Sequence, residues 1–160
     1  MPQDVEGLIE FVGRDLFEER LDLMFSEGRY WHGNEPCHQI AYLYDYIGRP
    51  EKCQAAVREI MKTEYRNTPG GLSGNDDAGQ LSAWYVFSCL GFYPVCPGSA
   101  EYALGIPAFD RITIHLENGK DFVIVKKEDA GTSFRLGCSR LRRPFLAHAD
   151  LVAGRRLVFR

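Results

Sequence analysis

The chain has 160 residues, 45% of them hydrophobic and 26% charged, with a net charge of −3. That balance fits a globular protein, excludes disordered and collagen-like classes, and gives no global pull toward nucleic acid or anionic membrane. With no run of about 18 apolar residues, no membrane span is expected, and the opening MPQDVEGLIEF lacks the basic start and apolar core of a secretory signal, so no export address is expected either.

Val5, Leu8, Ile9 and Val12 recur at helical spacing, and Leu16, Leu21, Met24 and Phe25 predict a second helical piece. Pro36 suits the first turn of a helix through Ile40, Tyr42, Leu43, Tyr46 and Ile47, which Gly48 ends ahead of Pro50. Glu51 to Tyr65 predicts the next helix, with Val57, Ile60 and Met61 on one face, and Leu81 to Leu90 a further one. Short connections of this kind imply antiparallel neighbours in a helical array.

After Pro94 and Pro97 the period changes. RITIHL, DFVIVKK and RRLVFR alternate or run apolar over strand lengths, and ENGK between the first two is a hairpin signal. The expected fold class is mixed α and β, with a helical part over residues 1–97 and a small antiparallel β region over residues 98–160. The helices are too few for more than a thin layer, and the strands have edges to cover. The chain reads as a piece of a larger protein.

Cys37, Cys53, Cys89, Cys96 and Cys138 form no CxxC pair and leave one over, which argues against a disulfide framework or a zinc site. Cys53 and Cys89 fall in helical patterns, where a buried thiol behaves as a small hydrophobe. The arginines at 135, 140, 142, 143, 155, 156 and 160 make a basic tail with little aromatic interleaving. They read as a solvated face, or as a contact with a missing domain, rather than a nucleic-acid surface. His115 and His148 in the β region read as structural.

Two clusters are able to carry chemistry. One is YWHGNEPCHQ, Tyr30 to Gln39; the other is GGLSGNDDAGQ, Gly70 to Gln80, which leads into an aromatic run. Loops separated by a helix pair return to one face of an antiparallel array, so the two are expected to converge. Asp77 followed by Gln80 also reads as a capping box for the Leu81 helix, which needs no ligand. Against that reading, one acid suffices to cap, Asn75 and Asp76 add polar groups, and the glycines let the backbone approach a ligand closely. Glu35 is not a favoured cap residue and is poorly explained by structure alone. From the residues alone it is the candidate proton donor, with His32 and His38 beside it. GNDDAG is not an EF-hand loop, and there is no GxGxxG, P-loop or G-x-S-x-G.

HGNEPCHQIAYLYDYIGRPEKCQ and GLSGNDDAGQLSAWYVFSCLGFYPVCPG strongly resemble glycoside hydrolase family 92, calcium-dependent inverting exo-α-mannosidases. The likeness continues through DVEGLIEFVG, YALGIPAFDRITIHLENGK and HADLVAGRRLVF, so it covers nearly the whole chain. The resemblance implies the end of an (α/α)6 helical barrel followed by a small antiparallel β region. It also implies a mannose-containing glycan of N-glycan or mannan type as substrate, the remaining amino-terminal part of the enzyme as partner, and a secreted or periplasmic full-length protein.

Residue by residue, the resemblance makes Asp77 the general base. It places Asn34 and Glu35 at the terminal mannose and its calcium, and His32, His38, Asn75 and Asp76 around the substrate. The family's general acid lies upstream on a Y-x-E-G-N motif, and no E-G-N occurs in the chain. A carbohydrate-binding or inactive fragment therefore stands as the alternative. An inverting glycosidase holds its two carboxyl groups about 6.5–9.5 Å apart, with room for a water between base and sugar.

Overall fold

The computed structural model describes residues 2–160. Five helices form the first layer: α1 (Val5–Val12), α2 (Arg14–Ser26), α3 (Leu43–Tyr46), α4 (Pro50–Thr63) and α5 (Gln80–Leu90). Each starts or stops for a local reason. Asp4 caps α1 by accepting from the Gly7 amide at 2.8 Å. Pro50 stands in the first turn of α4. Gly91, at φ 89°, ends α5 and sends its amide to the Phe87 and Ser88 carbonyls.

The helix predicted from Pro36 does not run continuously. Glu35–Cys37 and Ile40–Tyr42 are separate 3-10 turns leading into the four-residue α3. An α-helix here would send the Tyr42 amide to the His38 carbonyl, but the Trp84 indole N–H takes that oxygen at 2.8 Å. Tyr42 bonds the Gln39 carbonyl instead, at 3.0 Å.

Two sheets follow. β1 (Phe92–Tyr93), β2 (Glu101–Leu104) and β7 (Phe145–Ala147) form an antiparallel three-stranded sheet in the order β1-β2-β7. β3 (Arg111–His115), β4 (Asp121–Lys126), β5 (Phe134–Leu136), β6 (Ser139–Arg140) and β8 (Arg156–Phe159) form the second, in the order β3-β4-β8-β5-β6. The β3–β4 hairpin turns at Gly119, φ 78°, as ENGK predicts. Pairing is antiparallel throughout except β4 with β8, which run parallel because the chain crosses over through β5, β6 and the short helix α6 (His148–Val152). The small sheet was not legible from period alone, since β1 has two residues and β7 three.

That small sheet separates two cores. Phe92, Leu104 and Leu146 face the cluster built on Phe122, Ile124, Leu157 and Phe159, while Tyr93, Ala103 and Phe145 face the helical cluster of Tyr42, Ile47, Val57 and Trp84. Register explains the split: Phe92 pairs with Leu104 and Tyr93 with Ala103, so each pair shares a face. A boundary at residue 97 falls inside the β1–β2 hairpin, and both regions share the helical core. On α1 and α2, Phe11, Leu16 and Leu23 are exposed.

Candidate active site

The two clusters meet backbone to backbone. A Cβ placed on Gly74 would lie 2.3 Å from the Gly33 carbonyl oxygen and 2.6 Å from its Cα, and one on Gly33 would lie 2.7 Å from the Ser73 carbonyl. Only paired glycines allow this approach. The contact is reinforced from beneath. Gln80 reaches His38 Nδ1 at 3.4 Å and the Tyr93 hydroxyl at 3.3 Å, linking the start of α5 to the NEP loop.

His32 and His38, expected beside the substrate, are fully buried in this segment. Each is consumed by structure. Tyr30 O–H donates to His32 Nδ1 at 2.7 Å, His32 Nε2–H donates to Tyr65 Oη at 2.5 Å, and Tyr65 O–H passes on to the Leu81 carbonyl at 3.0 Å. His38 Nε2–H donates to the His32 carbonyl at 3.1 Å, which leaves Nδ1 to accept from Gln80. Burial, together with the neighbouring His38, pushes the His32 imidazole down to about 3, and burial also lowers His38. Both rings are neutral supports beneath the loops. The charges of Glu35 and Asp77 each work against the shift at His38.

Above these supports the polar groups face water. Asn34, Glu35 and Asn75 are exposed, and Asp76 and Asp77 are half-buried. The two aspartates have separate work. Asp76 Oδ1 accepts from the Ser82 amide at 2.9 Å and Oδ2 from the Ser82 hydroxyl at 3.1 Å, so Asp76 satisfies the first turn of α5. Asp77 does not close a capping box: the α5 cap position is Gly79, without a side-chain bond, and Gln80 is drawn to His38. Asp77 Oδ1 accepts from Asn75 Nδ2 at 2.7 Å, and Oδ2 has no bond to any described residue.

The backbone here is left-handed over three residues: Asp77 at φ 48°, Ala78 at 57° and Gly79 at 93°. Aspartate tolerates this region and glycine prefers it, while alanine is strained there by about 1–2 kcal/mol. Strain held next to a candidate reactive group is characteristic of functional loops. On the α5 flank of Asp76, a cleft of about 450 Å³ opens between Leu72, Ser82 and Tyr85.

Gln80, Trp84 and Tyr65 were not among the sequence candidates. Gln80 reads as a capping residue in sequence, Trp84 falls in an apolar, aromatic run and Tyr65 ends a predicted helix; their connection to the loops is visible only in three dimensions.

The family model described as "Glycosyl hydrolase family 92 catalytic domain" matches residues 1–160. The chain superposes on a family GH92 α-mannosidase from Bacteroides thetaiotaomicron with a TM-score of 0.91 and 43% identity, covering 99% of this chain and 23% of that one. The same enzyme has also been solved in complex with mannoimidazole, and there the identity is 40%. A family GH92 inverting mannosidase from the same organism gives a TM-score of 0.87 and 37% identity, covering 97% of this chain and 25% of that one. Among curated proteins, an uncharacterized secreted glycosidase of Arthroderma benhamiae is 33% identical over 122 residues, 75% of this chain and 16% of its own length. The chain therefore spans a quarter or less of these relatives.

Proposed function

Since the chain belongs to glycosyl hydrolase family 92, we propose that it forms the carboxy-terminal part of an α-mannosidase that releases terminal α-linked mannose from N-glycans or mannan with inversion, using Asp77 as general base. The observation that carries this reading is the unpartnered Oδ2 of Asp77, on a loop pinned by Gly74 to the Asn34–Glu35 loop. A general base needs one carboxylate oxygen oriented and one open to water. Asn75 orients Oδ1; Oδ2 is left to take the proton of a water as that water's oxygen attacks the anomeric carbon. Asp76 is unsuited, since Ser82 occupies both of its oxygens.

The leaving oxygen must be protonated as the glycosidic bond breaks, and no E-G-N motif stands in the chain. We assign that donor to the amino-terminal part of the enzyme. Phe11, Leu16 and Leu23 are exposed apolar side chains on the first two helices that such a part could cover.

Asn34, Glu35 and Asn75 carry exposed carbonyl and carboxylate oxygens suited to mannose hydroxyls. The Asn34 amide oxygen and the Glu35 carboxylate are also hard donors of the type calcium takes. The described residues contain no group of three or more His, Cys, Asp or Glu side chains close enough to hold a metal. These two therefore fit one side of a calcium shell, with the rest supplied by substrate, water or chain outside the described residues. When bound, the cation supplies positive charge against the sugar hydroxyls. No described helix is long and apolar enough to cross a membrane, and we extend the secreted character of the fungal relative to the full-length enzyme.

The test is Asp77→Asn in a protein that joins this segment to the rest of the barrel. Loss of aryl α-mannoside hydrolysis with unfolding unchanged supports the assignment; near-normal turnover removes Asp77 from the base role. The second reading, a glycan-binding segment without turnover, is favoured by the missing proton donor. Mannose release by the 160-residue chain in the presence of calcium contradicts that reading.

A further inference from the structure

The chain has two tryptophans with opposite fates: Trp84 is fully buried, while Trp31 is 57% exposed. We propose that the Trp31 indole is a fixed platform on which a pyranose ring of the mannan chain stacks, beside the terminal mannose; this rests on the mannosidase reading above.

The ring is exposed but not loosely attached. On its amino side, Tyr30 is tied to His32 at 2.7 Å; on its carboxy side, His32 is fully buried and tied to Tyr65. The indole folds over Gly33, where a Cβ would fall 2.6 Å from both Cε2 and Cζ2. Gly33 thus serves two contacts at once, the indole and the Ser73–Gly74 backbone. A large aromatic side chain with two rotatable angles, fixed in advance, provides contact area at little entropic cost.

The exposed residues that follow Trp31 along the loop point to its occupant. The next exposed side chains are Asn34 and Glu35, and Asn75 lies across the glycine contact. An apolar protein partner calls for a contiguous apolar patch. A sugar ring calls for the opposite: an aromatic face for its C–H groups, whose partial positive charge meets the negative face of the π system, and amide and carboxylate groups at the edge for its hydroxyls. Trp31 with Asn34 and Glu35 has that composition.

The test is affinity electrophoresis of the 160-residue chain in native gels containing α-linked mannan, against matched gels containing β-glucan. The wild type is expected to be retarded by mannan alone, with its exposed tryptophan emission shifting to the blue. Trp31→Ala should weaken apparent affinity about tenfold, equivalent to roughly 1.4 kcal/mol, and Trp31→Tyr should restore most of it. Undiminished retardation of Trp31→Ala overturns the platform while leaving mannan recognition standing. Failure of mannan to retard the wild type overturns mannan recognition by these residues, and the platform with it. A lowered unfolding temperature in both variants, or a dimer that sediments in the wild type and is lost in Trp31→Ala, assigns the ring to protein packing and also overturns the platform.

Discussion

Gly74 and Gly33 touch so closely that a side chain on Gly74 would meet a carbonyl oxygen at 2.3 Å. This contact makes one site of two loops that are distant in sequence. Gly74→Ala must displace backbone, which cannot yield as a flexible side chain does, and should cost about 1–3 kcal/mol. Gly33→Ala meets the Trp31 ring as well as the Ser73 carbonyl and should cost a similar amount. Gly70, with open space around its Cα, is the control, and Gly70→Ala should stay within about 0.5 kcal/mol of wild type. Urea unfolding of the three variants checks the order.

The adjacent aspartates should separate stability from catalysis. Asp76→Ala removes the acceptor of the Ser82 amide and hydroxyl, and should lower stability by about 1 kcal/mol, as loss of a helix cap does. Asp77→Asn leaves α5 untouched and should leave stability nearly unchanged, while lowering kcat of the complete enzyme by about 10²–10⁴-fold, the usual contribution of a general base. Thermal unfolding and mannoside hydrolysis measured on both variants decide it. The assignment fails if the two effects are exchanged.

His32 sets an acid limit on stability. Its folded value, about 3, lies below the ordinary 6.5, so below 6.5 the unfolded chain binds a proton that the folded chain refuses. The stabilisation is therefore whole above about pH 6.5 and declines as pH falls, by at most about 1.4 kcal/mol per pH unit for one group. His38, lowered for the same reason of burial, acts in the same direction. His32→Gln removes one of the two protons, so its stability deficit relative to wild type should shrink between pH 7 and pH 5. A deficit that stays constant over that range contradicts a neutral His32.

Much of this arrangement was legible from residue order. Helix pairs return loops to one face, so convergence of the NEP and GNDD stretches followed from the array, and ENGK named its own hairpin. What the sequence concealed were contests for single atoms. Gln80 after Asp77 spells a capping box, yet the amide goes to His38 and Tyr93, because buried groups need partners more than a solvated turn does. Pro36 to Ile47 spells a helix, yet Trp84 takes the carbonyl that would have continued it. For His32 and His38 the residues alone left a structural and a binding role open, because nothing local reveals that Tyr30, Tyr65 and Gln80 bond to them.

Asp45 is the reverse of His32. It is 2% exposed in the helical core beside the Cys53 thiol, and neither carboxylate oxygen makes a hydrogen bond of normal geometry. Burial pushes its carboxyl well above the ordinary 3.8. The folded chain therefore holds a proton that the unfolded chain releases, and stability falls as pH rises above 3.8 for as long as the folded form stays protonated. Above pH 3.8 this opposes the histidine effect and flattens the wild-type profile. Asp45→Asn keeps the shape and has no proton to retain. Its stability relative to wild type should rise as pH climbs above 3.8, by at most about 1.4 kcal/mol per pH unit while the folded carboxyl stays protonated, measured by urea unfolding at fixed ionic strength. A difference that does not change with pH above 3.8 means that the Asp45 carboxylate ionises in place, and that the helical core accommodates its charge.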